Sequence, residues 1–262
     1  MQQPIYQVDA FTSDLFGGNP AAVCPLQAWL PNATLQRIAQ ENNLSETAYF
    51  VPKDKGYELR WFTPAVEVNL CGHATLATAH VLFSHLGYPT DAITFYSKSG
   101  VLTVTRQGHA LTLNFPANAA TPLPMVPEPL FAGLGIAPAP AYQANEDVMV
   151  VLGSQAEVAA LTPDFGLLNT IKARGIIVTA PGQQVDFVSR FFAPRCGIDE
   201  DPVTGSAHTV LAPFWAQRLQ KNTFEAIQLS ARQGHLHCQL DGNRVLISGQ
   251  AVTYLQGHIE IP

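Results

Sequence analysis

Charge is sparse in this chain: Asp, Glu, Lys and Arg supply 13% of its residues, against roughly 25% in an average soluble domain. Its Lys and Arg form no cluster and the formal net charge is −6, which argues against a nucleic-acid or anionic-membrane surface. No apolar run approaches the ~18 residues of a membrane-spanning helix. Met1-Gln2-Gln3-Pro4 leads into a strand-like segment and not into a secretory leader. Cysteine is scarce too. Cys24, Cys71, Cys196 and Cys238 are scattered without a C-x-x-C, which excludes a disulfide framework and fits a reducing compartment, so a cytoplasmic location is expected. His235 and His237 alternate on a strand, but no third ligand has suitable spacing, and no metal site is expected. A serine hydrolase is disfavoured as well. Thr204-Gly205-Ser206-Ala207-His208 lacks the G-x-S-x-G elbow and places a histidine on another helix face from the serine.

What the chain does have is a repeat. Phe62-Thr63-Pro64 precedes Leu70-Cys71-Gly72-His73-Ala74, which opens an apolar run through Phe83; Phe192-Ala193-Pro194 precedes Thr204-Gly205-Ser206-Ala207, which opens another through Trp215. The two glycines stand half a chain apart in 262 residues. Upstream of each F-x-P lies a strand-like segment, Leu44 to Pro52 and Arg174 to Pro181, and downstream of each apolar run a hairpin pattern, at 100–113 and 235–247. This spacing predicts two similar domains related by a pseudo-twofold axis, the first over 1–116 and the second over 117–249, with the final strands at 250–254 and 257–261 expected to return to the first. The period is too long for a solenoid. The proline- and alanine-rich stretch at 116–140 is expected to connect the domains.

Candidate site residues follow from this frame. Asn19, held extended by Pro20, is placed to aim its amide into a cleft or to serve as a turn residue. Asn32 is expected to cap a helix over 33–42. If 44–50 is a strand, Glu46 shares a face with Ala48 and Phe50, and a carboxylate on an apolar face suits proton transfer near neutral pH; a solvated edge glutamate is the bland alternative. Its second-half counterpart is Gly175 or Ile176, so the carboxylate has no symmetric partner. Gly72 and Gly205, each at a helix start, let backbone N–H groups approach a carboxylate. His73 and Ser206 follow them in equivalent positions. His80 and His208 are expected to be packing residues.

Val8-Asp9-Ala10-Phe11-Thr12, Gly18-Asn19-Pro20, Ser45-Glu46-Thr47, Phe62-Thr63-Pro64, Cys71-Gly72-His73-Ala74-Thr75 and Glu200-Asp201-Pro202-Val203-Thr204-Gly205-Ser206-Ala207 together resemble the phenazine-biosynthesis PhzF-like family, over nearly the whole chain. The resemblance implies an α+β, diaminopimelate epimerase-like fold: two pseudo-symmetric domains, each a curved, mostly antiparallel sheet around a central helix, with the active site between them. It implies a homodimer acting on a small molecule without cofactor or metal. It further implies an isomerase of trans-2,3-dihydro-3-hydroxyanthranilate type, in which Glu46 moves the proton, supported by His73, Asp201 and Ser206, while Gly72 and Gly205 bind the substrate carboxylate. Racemases of this superfamily place a thiol before each glycine. Here Cys71 precedes Gly72 but Thr204 precedes Gly205, and a hydroxyl does not replace a thiol as a carbon base. One-carboxylate isomerisation is therefore favoured over a racemase built on Cys71, and over a non-catalytic binding protein that keeps the cleft.

Overall fold

The computed structural model describes residues 2–261. The chain divides into two compact units, Met1–Phe115 with Leu246–Pro262, and Pro116–Val245.

The first unit begins with β1 (Gln2–Ala10) and β2 (Asn19–Pro25), joined antiparallel with Val8 opposite Ala21. Helix α1 (Asn32–Asn42) buries Leu35, Ile38 and Ala39 on one face. Strand β3 (Glu46–Lys53) then lies parallel to β2, and β4 (Gly56–Phe62) returns antiparallel to β3, followed by the two-residue β5 (Glu67–Val68). Helix α2 (Gly72–Ser84) is buried on nearly every side, from His73 to Phe83 with only His80 partly open. Fully buried Leu76 and Leu82 each contribute ~1.5–3 kcal/mol relative to exposure. Its two threonines are tolerated in this dry setting because Thr75 and Thr78 donate their hydroxyls back to the carbonyls of Cys71 and Ala74. Strand β6 (Ala92–Ser97) runs parallel to β4, and β7 (Gly100–Gln107) and β8 (Ala110–Pro116) complete a meander.

The second unit repeats the plan. Strand β9 (Ala120–Pro122) and helix α3 (Pro129–Leu134) precede β10 (Ala141–Ala144) and β11 (Asp147–Val151). Short helices α4 (Gln155–Ala159) and α5 (Phe165–Leu168) take the place of α1, and β12 (Ile176–Pro181) lies parallel to β11. Strand β13 (Phe187–Ala193) returns antiparallel to β12 and pairs with β14 (Ile198–Glu200). Helix α6 (Gly205–Leu219) is the buried central helix, and β15 (Thr223–Gln228), parallel to β13, leads into β16 (Gly234–Asp241). Pro213 lies inside α6 and leaves the Thr209 carbonyl without its helical donor. Asn118 replaces it: its backbone N–H donates to that carbonyl at 3.0 Å and its side chain to Thr209 Oγ1 at 2.9 Å. Strand β17 (Arg244–Gly249) carries the chain back to the first unit, where β18 (Ala251–Glu260) pairs antiparallel with β1. The architecture is α+β.

Three sequence expectations are corrected. Asn32 is the first residue of α1 and not its cap; Pro31 holds the cap position, and Asn32 Oδ1 instead accepts from Arg60. The stretch 116–140 is not a bare connection, because Leu130 and Leu134 of α3 pack into the second unit's core with Val148, Val158 and Leu168. The two final strands are one. Gly257 pairs with Ile5 inside the ladder, and the irregularity lies at Tyr254, where Gln7 faces Leu255 and Val8 faces Thr253.

Candidate functional site

Each unit assembles its own polar group at the start of its central helix. In the first, the tight loop between β1 and β2 delivers Asn19. Phe16 and Gly18 adopt positive φ, Asp9 Oδ2 accepts from the Phe16 N–H at 3.0 Å, and a Cβ on Gly18 would lie 2.1 Å from the Ala10 carbonyl oxygen. Only glycine makes that approach. Asn19 is thereby fully buried at the first position of β2, with Nδ2 3.1 Å from His73 Nδ1. His73 sits just inside α2, whose Cys71 cap position is extended and supplies no side-chain cap.

Glu46 is the first residue of β3, and its Oε2 lies 3.2 Å from His73 Nε2. The contact is an ion-pair distance without hydrogen-bond alignment, so this buried oxygen keeps an open lone pair. Cys71 Sγ approaches the other face of the pair, 3.5 Å from Nδ1 and 4.0 Å from Nε2. Burial pushes the Cys71 thiol up to about 11, with Glu46 adding and His73 opposing, so it is protonated at neutral pH. Burial opposes protonation of His73, but the Glu46 carboxylate beside it favours the charged ring and the imidazole is held above its usual range. The Glu46 carboxylate therefore has a cationic neighbour. Asn19 suits either state of that ring, since its amide offers N–H to a neutral Nδ1 and, turned over, oxygen to a protonated one.

In the second unit Thr204 Oγ1 donates to Asp201 Oδ2 at 2.5 Å, and fully buried Gln228 clamps the same turn. Gln228 Oε1 accepts from the Thr204 N–H at 2.9 Å, and its Nε2 donates to the Asp201 carbonyl at 2.7 Å. Ser206 Oγ accepts from Arg174 Nη2 at 3.0 Å, and the same guanidinium grips buried Asp147 through Nε and Nη2. Of the residues singled out from sequence, Glu46, His73, Asn19 and Gly72 gather in the first unit, and Asp201, Ser206 and Gly205 at one helix start in the second. Arg174, Asp147 and Gln228 carried no signal in spacing.

The ladder registers fix the counterpart of Glu46. Phe62 faces Thr47 and Phe192 faces Ile176, so Glu46 corresponds to Gly175. A Cβ there would lie 2.2 Å from Phe191 Cζ, so no carboxylate fits. His80 does more than pack, because its Nε2 is 2.8 Å from Thr253 Oγ1 on β18. His208 is fully buried with Nδ1–H donating to the Thr204 carbonyl. His237 pairs with exposed Glu225 and belongs to no metal-ligand group among the described residues.

The phenazine biosynthesis-like (PhzC-PhzF) family profile matches residues 8–257. The chain belongs to that family. It is 52% identical over 261 residues, covering both chains completely, to a Pseudomonas aeruginosa protein named as an uncharacterized isomerase. The crystal structure of a PhzF-family phenazine biosynthesis protein from Enterococcus faecalis superposes with TM-score 0.96 at 46% identity, covering all of both chains. A hydroxyproline epimerase from Agrobacterium vitis shares the fold alone, with TM-score 0.66 at 9% identity over 98% of this chain and 92% of that one. The chain is an isomerase of the PhzF type with the diaminopimelate epimerase-like fold. Among the described residues no helix is long and apolar enough to cross a membrane.

Proposed function

We propose that this protein is a cofactor-independent isomerase that moves a proton on a small, carboxylate-bearing, amino-acid-like molecule, with Glu46 as its single acid/base. The observation that carries the reading is the pairing of Glu46 with His73 at 3.2 Å in a buried setting whose repeat counterpart, Gly175, has no room for a side chain. A lone carboxylate can take a proton from one carbon and return it to another on the same face, whereas inversion at a Cα requires a base on each face. Cys71 is a poor second base because its thiol is protonated at neutral pH. His73 orients the carboxylate and supplies the opposing charge. The N–H groups at the Gly72 helix start, beside His73, bind the substrate carboxylate, while Asp201, acting through the Thr204 turn, and Ser206 serve at the Gly205 helix start of the second unit. The dihydro-hydroxyanthranilate type of ring is the substrate class this chemistry favours, and a cytoplasmic homodimer the form it takes, to be checked by light scattering.

The test is deuterium entry from D2O, followed by proton NMR, into dihydro-hydroxyanthranilate and a panel of cyclic and linear amino acids. Exchange at a ring carbon supports the reading; exchange confined to Cα contradicts it.

A further inference from the structure

Cys71, His73 and Glu46 form the one group among the described residues whose ligand atoms, a thiol sulfur, an imidazole nitrogen and a carboxylate oxygen, all lie within 4.8 Å of one another. Zinc bonds of roughly 2.0–2.3 Å put tetrahedral donors about 3.3–3.7 Å apart. Nε2 and Oε2 at 3.2 Å already match that spacing, while Sγ lies 3.5 Å from Nδ1 and 4.0 Å from Nε2, so a turn of the His73 ring and of the Cys71 side chain must bring the sulfur round to the Nε2 side. The widest pair, no more than 4.8 Å apart, closes by at most about 1 Å. Oε2 is buried with no hydrogen bond, so a lone pair is open to a Lewis acid. Asn19 stands behind the ring at 3.1 Å from Nδ1, where its amide oxygen would accept Nδ1–H and fix Nε2 as the ligand atom. Three protein ligands leave a fourth position for water, the pattern of exchangeable zinc sites.

We propose that this cluster binds a thiophilic divalent cation of the Zn2+ class, and that binding switches the protein off. The metal displaces two protons to solvent, one from the Cys71 thiol and one from Nε2 of the His73 imidazolium, and takes up the Sγ, Nε2 and Oε2 lone pairs, forming three coordination bonds with no change of oxidation state. The inhibitory half rests on the Glu46 reading above, since a metal-bound carboxylate cannot carry a proton. The binding half stands without it.

Titration of the full-length protein with Co2+ tests binding directly, because a cobalt–thiolate bond absorbs in the near ultraviolet whatever the substrate is. One equivalent of Co2+ is expected to give that band, Zn2+ to abolish it, Cys71→Ser to lose it and Cys196→Ser to keep it. Asn19→Ala, which leaves all three ligands in place, is expected to weaken Co2+ binding about 10- to 100-fold and guards against a Cys71 variant that misfolds. No band in the wild type, or a band lost with Cys196→Ser and retained with Cys71→Ser, overturns the site. If binding holds but equimolar Zn2+ leaves deuterium exchange unchanged, the switch is overturned while the site stands. Absence of exchange without metal bears on the Glu46 reading alone.

Discussion

At position 175 the ring of Phe191 occupies the space where a side chain would begin, and that contact makes the two halves of the repeat chemically unequal. The difference extends one residue after each helix glycine, where His73 meets a carboxylate and Ser206 meets the Arg174 guanidinium. Thr204 is tied to Asp201 and Gln228, so its position is built for anchoring and not for abstraction. Thr204→Cys is therefore expected to give no Cα deuterium exchange with any amino acid of the panel; appearance of racemase activity would mean that the identity of this one atom is all that separates the two chemistries. Sequence made the Glu46 and His73 candidates legible because each sits beside a local marker, a strand start and a helix glycine. Arg174, Asp147 and Gln228 were not legible. Their partners lie far along the chain and meet only through sheet pairing, which leaves no spacing to read.

At the scale of elements, the start of α6 depends on Gln228 of β15, which both accepts from the Thr204 N–H and donates to the Asp201 carbonyl in a buried setting. Replacing it strands groups that cost about 1–3 kcal/mol each when left unpaired. Gln228→Ala is expected to lower unfolding free energy by roughly 2–5 kcal/mol in urea titration, well beyond the cost of an exposed glutamine. A loss under 1 kcal/mol would show that the turn holds itself. Both central helices were readable because Gly72 and Gly205 open apolar runs of helical length. The misread stretch at 116–140 shows the opposite case. Its prolines report turn chemistry faithfully, but composition does not reveal that Leu130 and Leu134 find a core. The break expected between strands at 250–254 and 257–261 is likewise absent: Gly257 stands opposite Ile5 in the β1–β18 ladder, with nothing nearer than Leu255 at 3.9 Å from where its Cβ would be.

At the scale of the whole molecule, stability is expected to decline on acidification before the carboxylates titrate. Burial holds His208 down to about 4, against the hydrogen bond it donates to the Thr204 carbonyl, which raises it, and burial with the nearby His85 holds His80 at about 4 as well. The unfolded chain binds these protons near the ordinary histidine value of 6.5, so between pH 6.5 and 4 it takes up more protons than the folded one. The contribution of these two histidines is thus full above that window and is lost as pH falls through it, by up to roughly 3 kcal/mol for His208. Calorimetry across this range should show a falling Tm, and His208→Asn should flatten the slope even if it lowers the plateau.

The same pairing order in both units, with a parallel pair before and after each antiparallel return, gives one protein two equivalent frames and one carboxylate. Side-by-side proton NMR in D2O of wild type and Glu46→Gln measures what that carboxylate does. Deuterium is expected at a ring carbon with the wild type and a loss of at least about 100-fold in Glu46→Gln, with an unchanged circular dichroism spectrum. Equal deuterium entry in both proteins would contradict the Glu46 reading and return the chemistry to Cys71.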